Sequence, residues 1–165
     1  MKTSLRPQEE ITEIYERYSD TVYRIAFLYL KNRPEAEDAL QNVFLKLMGY
    51  RGEFQSEEHL KAYLIVTSKN VSKDMLKSYW RRNTVDLSHT SDAGQPDHSK
   101  QNETYRAVMS LPKKYRVPLY LYYYEGYSTG EISEILGINH STVRSQLRAA
   151  RKKLRLTIEE ERENE

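Results

Sequence analysis

Apolar residues recur at steps of three and four along most of the chain, and no period-two alternation bounded by hairpin residues interrupts them. The pattern predicts an all-α protein. Ile11, Ile14, Tyr18, Val22, Ile25 and Tyr29 form one stripe of a first helix over Gln8–Leu30, ended by Asn32, Arg33 and Pro34. A second helix over 34–48 carries Ala36, Ala39, Leu40, Val43, Phe44 and Leu47 on one side, with Pro34 suited to its first position. A third, over 56–82, turns Leu60, Leu64, Thr67, Val71 and Met75 inward, and Ser56 reads as its cap ahead of Glu57 and Glu58.

Residues 83–101, NTVDLSHTSDAGQPDHSKQ, are polar and hold too little apolar surface to bury a face, so they read as a flexible linker. Periodicity resumes at Tyr105, Val108, Met109 and Leu111. A helix then opens at Pro112 and runs to about Tyr124, with Gly126 as its stop. Pro118 inside it predicts a kink or break, unless the helix starts later. Tyr115, Tyr120, Tyr122, Tyr123 and Tyr124 are read as core and subdomain interface in preference to base-stacking residues. The expected organisation is two small helical domains, 1–82 and 102–158, the linker 83–101, and a frayed acidic tail over 159–165.

The segment 127–156 carries the sharpest signal. Ser128 and Glu131 have capping-box spacing, Gly137 supplies a left-handed turn, Ile138 packs between helices, and Asn139 caps the next helix. That helix has Val143, Leu147, Ala150 and Leu154 for an inward stripe. It also carries Arg144, Arg148, Arg151, Lys152, Lys153 and Arg155 without a carboxylate between them. A helix-turn-helix ending in such a helix fits the major groove of duplex DNA, and Ser141, Thr142, Arg144, Ser145, Arg148 and Arg151 are its candidate contacts.

Two further surfaces lie in the first domain. Asp38, Gln41, Asn42 and Leu45 face away from the second helix's apolar stripe, with Met48 at the edge, which suits a protein-docking patch. On the third helix Lys69, Lys73 and Trp80 share a side, with Asn70 and Lys77 flanking and Arg81 and Arg82 following. Cations interleaved with an aromatic ring suit single-stranded DNA, and Trp80 packed against the linker is the competing reading.

Composition narrows the classes. Lys and Arg total 26 against 24 Asp and Glu, a net charge of +2, so a polyanion partner is argued from distribution and not from total charge. The chain has no cysteine, which removes disulfides, thiolate zinc sites and thiol nucleophiles. His59, His89, His98 and His140 fall in no ligand-spaced motif, and no glycine-rich phosphate loop is found, so neither catalysis, metal nor cofactor is expected. The N-terminus lacks a secretory pattern and no 18-residue apolar run exists, so a cytoplasmic protein without membrane insertion is expected.

Taken together, the motifs resemble the extracytoplasmic-function sigma factors of bacterial RNA polymerase, members of the sigma-70 family. EAEDALQNVFLKL at 35–47 is similar to the family's polymerase-binding helix, and LKAYLIVTSKN at 60–70 followed by Asp74 to its promoter-melting segment. LPKKYR at 111–116, YEGYS at 124–128 and TVRS at 142–145 resemble its C-terminal domain. The resemblance implies that Asp38, Gln41 and Asn42 face core polymerase, that Lys69, Asn70 and Lys73 face the minus-ten element, and that Arg144, Ser145 and Arg148 face the minus-thirty-five element. It also implies an anti-sigma factor as a partner. The chain departs from the family pattern at Asn42, where Glu is usual, at Tyr63, where Trp is usual, and at Gly130, commonly a larger residue. A helix-turn-helix regulator acting without a sigma role is the alternative.

Overall fold

The computed structural model describes residues 6–82 and 103–163, and all the secondary structure among them is α-helical. The chain divides into two compact units, Met1–Gln95 and Pro96–Glu165. The linker expected over 83–101, with His89 and His98, lies outside the described residues.

In the first unit α1 (Gln8–Leu30), α2 (Arg33–Gly49) and α3 (Glu57–Arg82) pack mutually. The inward stripes follow the predicted periodicity, with Leu40 and Met75 only half-buried and Ala26 and Ile65 added to the core. Ala36, Ala39, Val43 and Leu47 on α2 are wholly buried, and they meet Val22, Ile25 and Ala26 of α1 and Leu64 and Ile65 of α3 in one core. Each fully buried Leu, Ile or Val contributes about 1.5–3 kcal/mol.

The α1–α2 corner differs from expectation in its details. Lys31 takes the left-handed conformation at φ 50° and ends α1, donating its N–H to Phe27 O at 2.9 Å. Asn32 starts the next helix instead of terminating the last: its side chain accepts from Glu35 N at 3.0 Å. Arg33 is therefore the first helical residue and Pro34 the second, where a missing amide still costs nothing. Ser56 caps α3 as expected, its Oγ accepting from His59 N at 3.1 Å.

An unanticipated clamp fixes the start of α1. Arg6 donates from Nε to Tyr50 O at 3.0 Å, from one guanidinium nitrogen to Glu10 at 2.8 Å and from the other to Gly52 O, and its guanidinium lies 4.9 Å from the Phe54 ring centre. A Cβ on Gly52 would run into the Tyr50 side chain, so any larger residue in the α2–α3 turn forces that ring to move.

In the second unit α4 (Glu103–Ser110), α5 (Lys113–Tyr123) and α6 (Thr129–Leu136) pack around α7 (His140–Glu163). Pro118 neither breaks nor delays α5, which is a single helix from Lys113. The carbonyl that Pro118 leaves without an amide belongs to Lys114, an exposed residue where water can reach it. Arg116, 5% exposed, donates to Leu111 O at 2.7 Å and ties α5 to the end of α4. The core reading of the tyrosines holds only in part. Tyr115 and Tyr120 are half-buried, whereas Tyr122, Tyr123 and Tyr124 are exposed, because the inward face of α5 is filled by Arg116, Val117, Pro118, Leu119 and Leu121. The acidic segment after 158 continues α7 as helix to Glu163.

Candidate nucleic-acid and protein interfaces

The helix-turn-helix is built by local chemistry. Ser128 Oγ accepts from Glu131 N at 3.2 Å while Glu131 accepts from Ser128 N at 3.1 Å, the reciprocal capping box its spacing predicts. Gly137 ends α6 at φ 66°, a conformation that strains any residue bearing a Cβ. Ser133 then locks the turn: its Oγ donates to Ile138 O at 2.6 Å, and its carbonyl accepts from Ile138 N at 3.2 Å.

This turn lays α7 across the unit with Val143, Leu147 and Ala150 wholly buried. The remaining face is open. Ser141, Thr142, Arg144, Ser145, Arg148 and Arg151 are all exposed, as are Lys152, Lys153 and Arg155. At 100° per residue, Arg144, Arg148, Arg151 and Arg155 form one flank, a row of guanidinium groups about three turns long. Tyr123 borders it, its ring centre 6.0 Å from the Arg151 guanidinium. Lys114 and Lys153 lie over Tyr115 at 4.9 and 5.6 Å. These cation–aromatic contacts give part of the α5 tyrosines a role that periodicity could not separate from core packing.

On α3, Asn70, Lys73, Lys77 and Trp80 are exposed, Trp80 by 65%, and the linker against which the competing reading packs its ring lies outside the described residues. Lys69 is half-buried. Burial, then the neighbouring Lys73 charge, lowers its pKa below the ordinary 10.5, and an anionic group brought to this face would favour the charged form again. The side chains of Arg81 and Arg82 lie outside the described residues.

On α2, Asp38, Gln41, Asn42 and Leu45 are exposed and Met48 is half-buried, as the wheel predicts. Leu45 is 63% exposed. It borders a groove of about 480 Å3 between α2 and α3, lined also by Asn42, Lys46, Val71, Asp74, Met75 and Ser78. The α3 side of that groove was not legible in either helix alone, since it arises from their packing. Three residues before Asp38 on α2, burial and then the Asp38 charge raise the Glu35 carboxyl above its ordinary value. Among the described residues, no group of His, Asp and Glu side chains could hold a metal ion, and no helix is long and apolar enough to cross a membrane.

Residues 14–82 match the family described as Sigma-70 region 2, and residues 101–154 match Sigma-70, region 4. The first match covers the three-helix unit from within α1, and the second covers α4 to most of α7. The chain is 28% identical over 141 residues to the RNA polymerase sigma factor SigV of Bacillus subtilis (strain 168), covering 84% of this chain and 85% of that one. It is 27% identical over 157 residues to the ECF RNA polymerase sigma factor SigL of Mycobacterium tuberculosis (strain H37Rv), at 89% and 88% coverage. Among solved structures, the sigma factor RpoE in complex with the anti-sigma factor NepR from Bartonella quintana aligns with TM-score 0.72 at 19% identity, over 92% of this chain and 98% of that one, a likeness of fold. The ECF RNA polymerase sigma factor SigM of Bacillus subtilis (strain 168) is 31% identical over 152 residues, which are 88% of this chain and 93% of that one. With both sigma-70 regions in order on the two helical units, the chain belongs to the ECF RNA polymerase sigma factors of the sigma-70 family.

Proposed function

We propose that this sigma factor divides its work among the three surfaces described above. Asp38, Gln41, Asn42, Leu45 and Met48 on α2 dock core polymerase. Lys69, Asn70, Lys73, Lys77 and Trp80 on α3 hold the minus-ten element, Lys side chains meeting phosphates while the Trp80 ring stacks an unpaired base. Ser141, Thr142, Arg144, Ser145, Arg148 and Arg151 on α7 read the duplex minus-thirty-five element. The observation that carries this reading is the exposed arginine flank of α7 immediately behind a capped helix-turn-helix, because phosphates of a duplex offset the mutual repulsion of such a row.

We further propose domain limits of 1–82 and 102–158, with 83–101 as the connection. That stretch spans up to roughly 60 Å at about 3.3 Å per residue, close to two turns of duplex at about 34 Å each. Each DNA surface binds weakly by itself, and polymerase makes the second contact effectively intramolecular. The chain acts in the cytoplasm as an initiation subunit without catalytic residues of its own. As with the structural relative solved beside NepR, an anti-sigma factor is a partner.

Run-off transcription from genomic fragments with purified core polymerase tests the reading. The wild-type chain directs initiation, and Arg144→Ala and Asp38→Ala each reduce it at least about tenfold, the loss of one charge-assisted contact. No initiation from any fragment would remove the proposal.

A further inference from the structure

α2 ends without the left-handed residue that closes α1 at Lys31 and α6 at Gly137. Its last residue is Gly49, a poor helix former, and Tyr50 leaves it in extended conformation at φ −77° and ψ 123°. The chain around this end supplies one amide, from Tyr50 to Leu47 O at 3.1 Å, so the carbonyls that follow need donors from elsewhere. Arg6 provides them. Its N–H donates to Met48 O at 3.2 Å, its Nε to Tyr50 O at 3.0 Å, and its guanidinium also to Gly52 O. The Arg6 side chain is only 15% exposed, held by Glu10 and the Phe54 ring, and Phe54 and Tyr50 pack in turn on Tyr63 of α3.

We infer that Arg6 is a positioning residue for polymerase docking, acting through the last turn of α2. The inference rests on the reading of α2 as the docking helix. Met48, at the edge of that face, receives the Arg6 amide on its own carbonyl, and Leu45 lies three residues before it. Asp38 stands ten residues back from Met48, about 15 Å along the helix at about 1.5 Å per residue, beyond the reach of a cap at the far end. The guanidinium also sets a positive charge against the negative end of the helix dipole. A last turn ordered before the partner arrives does not have to be ordered during association, which strengthens docking without any contact from Arg6 to polymerase.

This role differs measurably from one confined to holding the fold. Loss of folded protein weakens docking by the same factor whatever other side chain is changed, so its effect multiplies equally with Met48→Ala and with Asp38→Ala. Loss of order in the last turn is felt at Met48 and not at Asp38.

The test is a double-mutant cycle on holoenzyme assembly, with the fluorescein-labelled full chain titrated with core polymerase and read by anisotropy. Urea unfolding of each variant first shows that it is folded at the temperature used. Arg6→Ala weakens assembly roughly tenfold, the effect of losing hydrogen bonds from a charged donor. In the Arg6→Ala background Met48→Ala costs at least about threefold less than it does alone, while Asp38→Ala costs the same in both backgrounds to within about twofold. If Arg6→Ala does not fold, the same cycle with Arg6→Lys decides, since an ammonium keeps the charge but cannot bridge the Tyr50 and Gly52 carbonyls as a fork does. Unchanged assembly on altering Arg6, or equal costs of Met48→Ala in the two backgrounds, overturns the inference and leaves α2 as the docking helix. If Met48→Ala and Asp38→Ala are both without effect in the wild-type background, the docking reading of α2 fails and this inference with it.

Discussion

Ser68 and Ser72 lie one turn apart on α3 and are both completely buried, yet they differ in what they hold. Ser68 Oγ donates to Val22 O at 2.9 Å, joining α3 to α1, while Ser72 Oγ has no hydrogen-bond partner among the described residues. A buried hydroxyl that lacks a partner carries its desolvation cost uncompensated, about 1–3 kcal/mol. Ser68→Ala is therefore expected to destabilise the protein by about 1 kcal/mol, and Ser72→Ala to leave stability unchanged or raise it. Urea unfolding of the two variants decides the point, and equal losses would show that Ser72 is bonded in solution. Glu35 provides a pH test. Burial and then Asp38 raise its carboxyl above the ordinary 4.5, so the folded state holds that proton more tightly than the unfolded chain. Stability consequently falls as pH rises through the window just above 4.5 and stays lower beyond it. Glu35→Gln removes this window: its melting temperature should exceed wild type slightly at neutral pH and match it in acid. A gain that persists in acid would point to packing instead of charge.

At the scale of elements, α6 and α7 show how far local chemistry carries the fold. The capping box at Ser128 and Glu131, the left-handed Gly137 and the buried stripe of Val143, Leu147 and Ala150 each follow from neighbouring residues. Gly137→Ala imposes a Cβ at φ 66° and is expected to cost about 1–2 kcal/mol in thermal or chemical unfolding. Since nothing beyond its chain neighbours lies within 4 Å of that Cβ, the loss comes from backbone strain alone, and an unchanged midpoint would refute the assignment of the turn. α5 illustrates the opposite case. Its four tyrosines and the capping Tyr124 all satisfied a helical pattern, but only packing against α7 decided that Tyr115 and Tyr120 are half-buried while Tyr123 stands out beside Arg151. Pro118 was equally undecidable from position, because whether a mid-helix proline breaks a helix depends on what surrounds the freed carbonyl.

Across the whole molecule, function requires surfaces on two separate units to act together, and a variant at one should spare the other. Leu45 is exposed beside the α2–α3 groove, so Leu45→Asp should leave the fold intact and weaken core-polymerase binding at least about tenfold, as burying an unpaired charge would. Binding of the full chain alone to duplex DNA, measured by fluorescence anisotropy, should not change. Parallel losses in the two assays would mean misfolding and sink the docking assignment. The sequence by itself determined the main apolar stripes of the helices, the cap at Ser56, the capping box and the cationic face of α7, because periodicity and capping act between residues at most four apart. It also placed Asp38, Gln41, Asn42 and Leu45 outward, which needs only the helical wheel. Tertiary structure alone decided the Arg6 clamp onto Tyr50 and Gly52, the Ser68 bond to Val22, the α3 half of the groove beside Leu45, and the Thr129–His140 bridge. Each of these joins groups eleven to 46 residues apart or the faces of two helices. Their meeting depends on how the helices pack, and no local pattern encodes that.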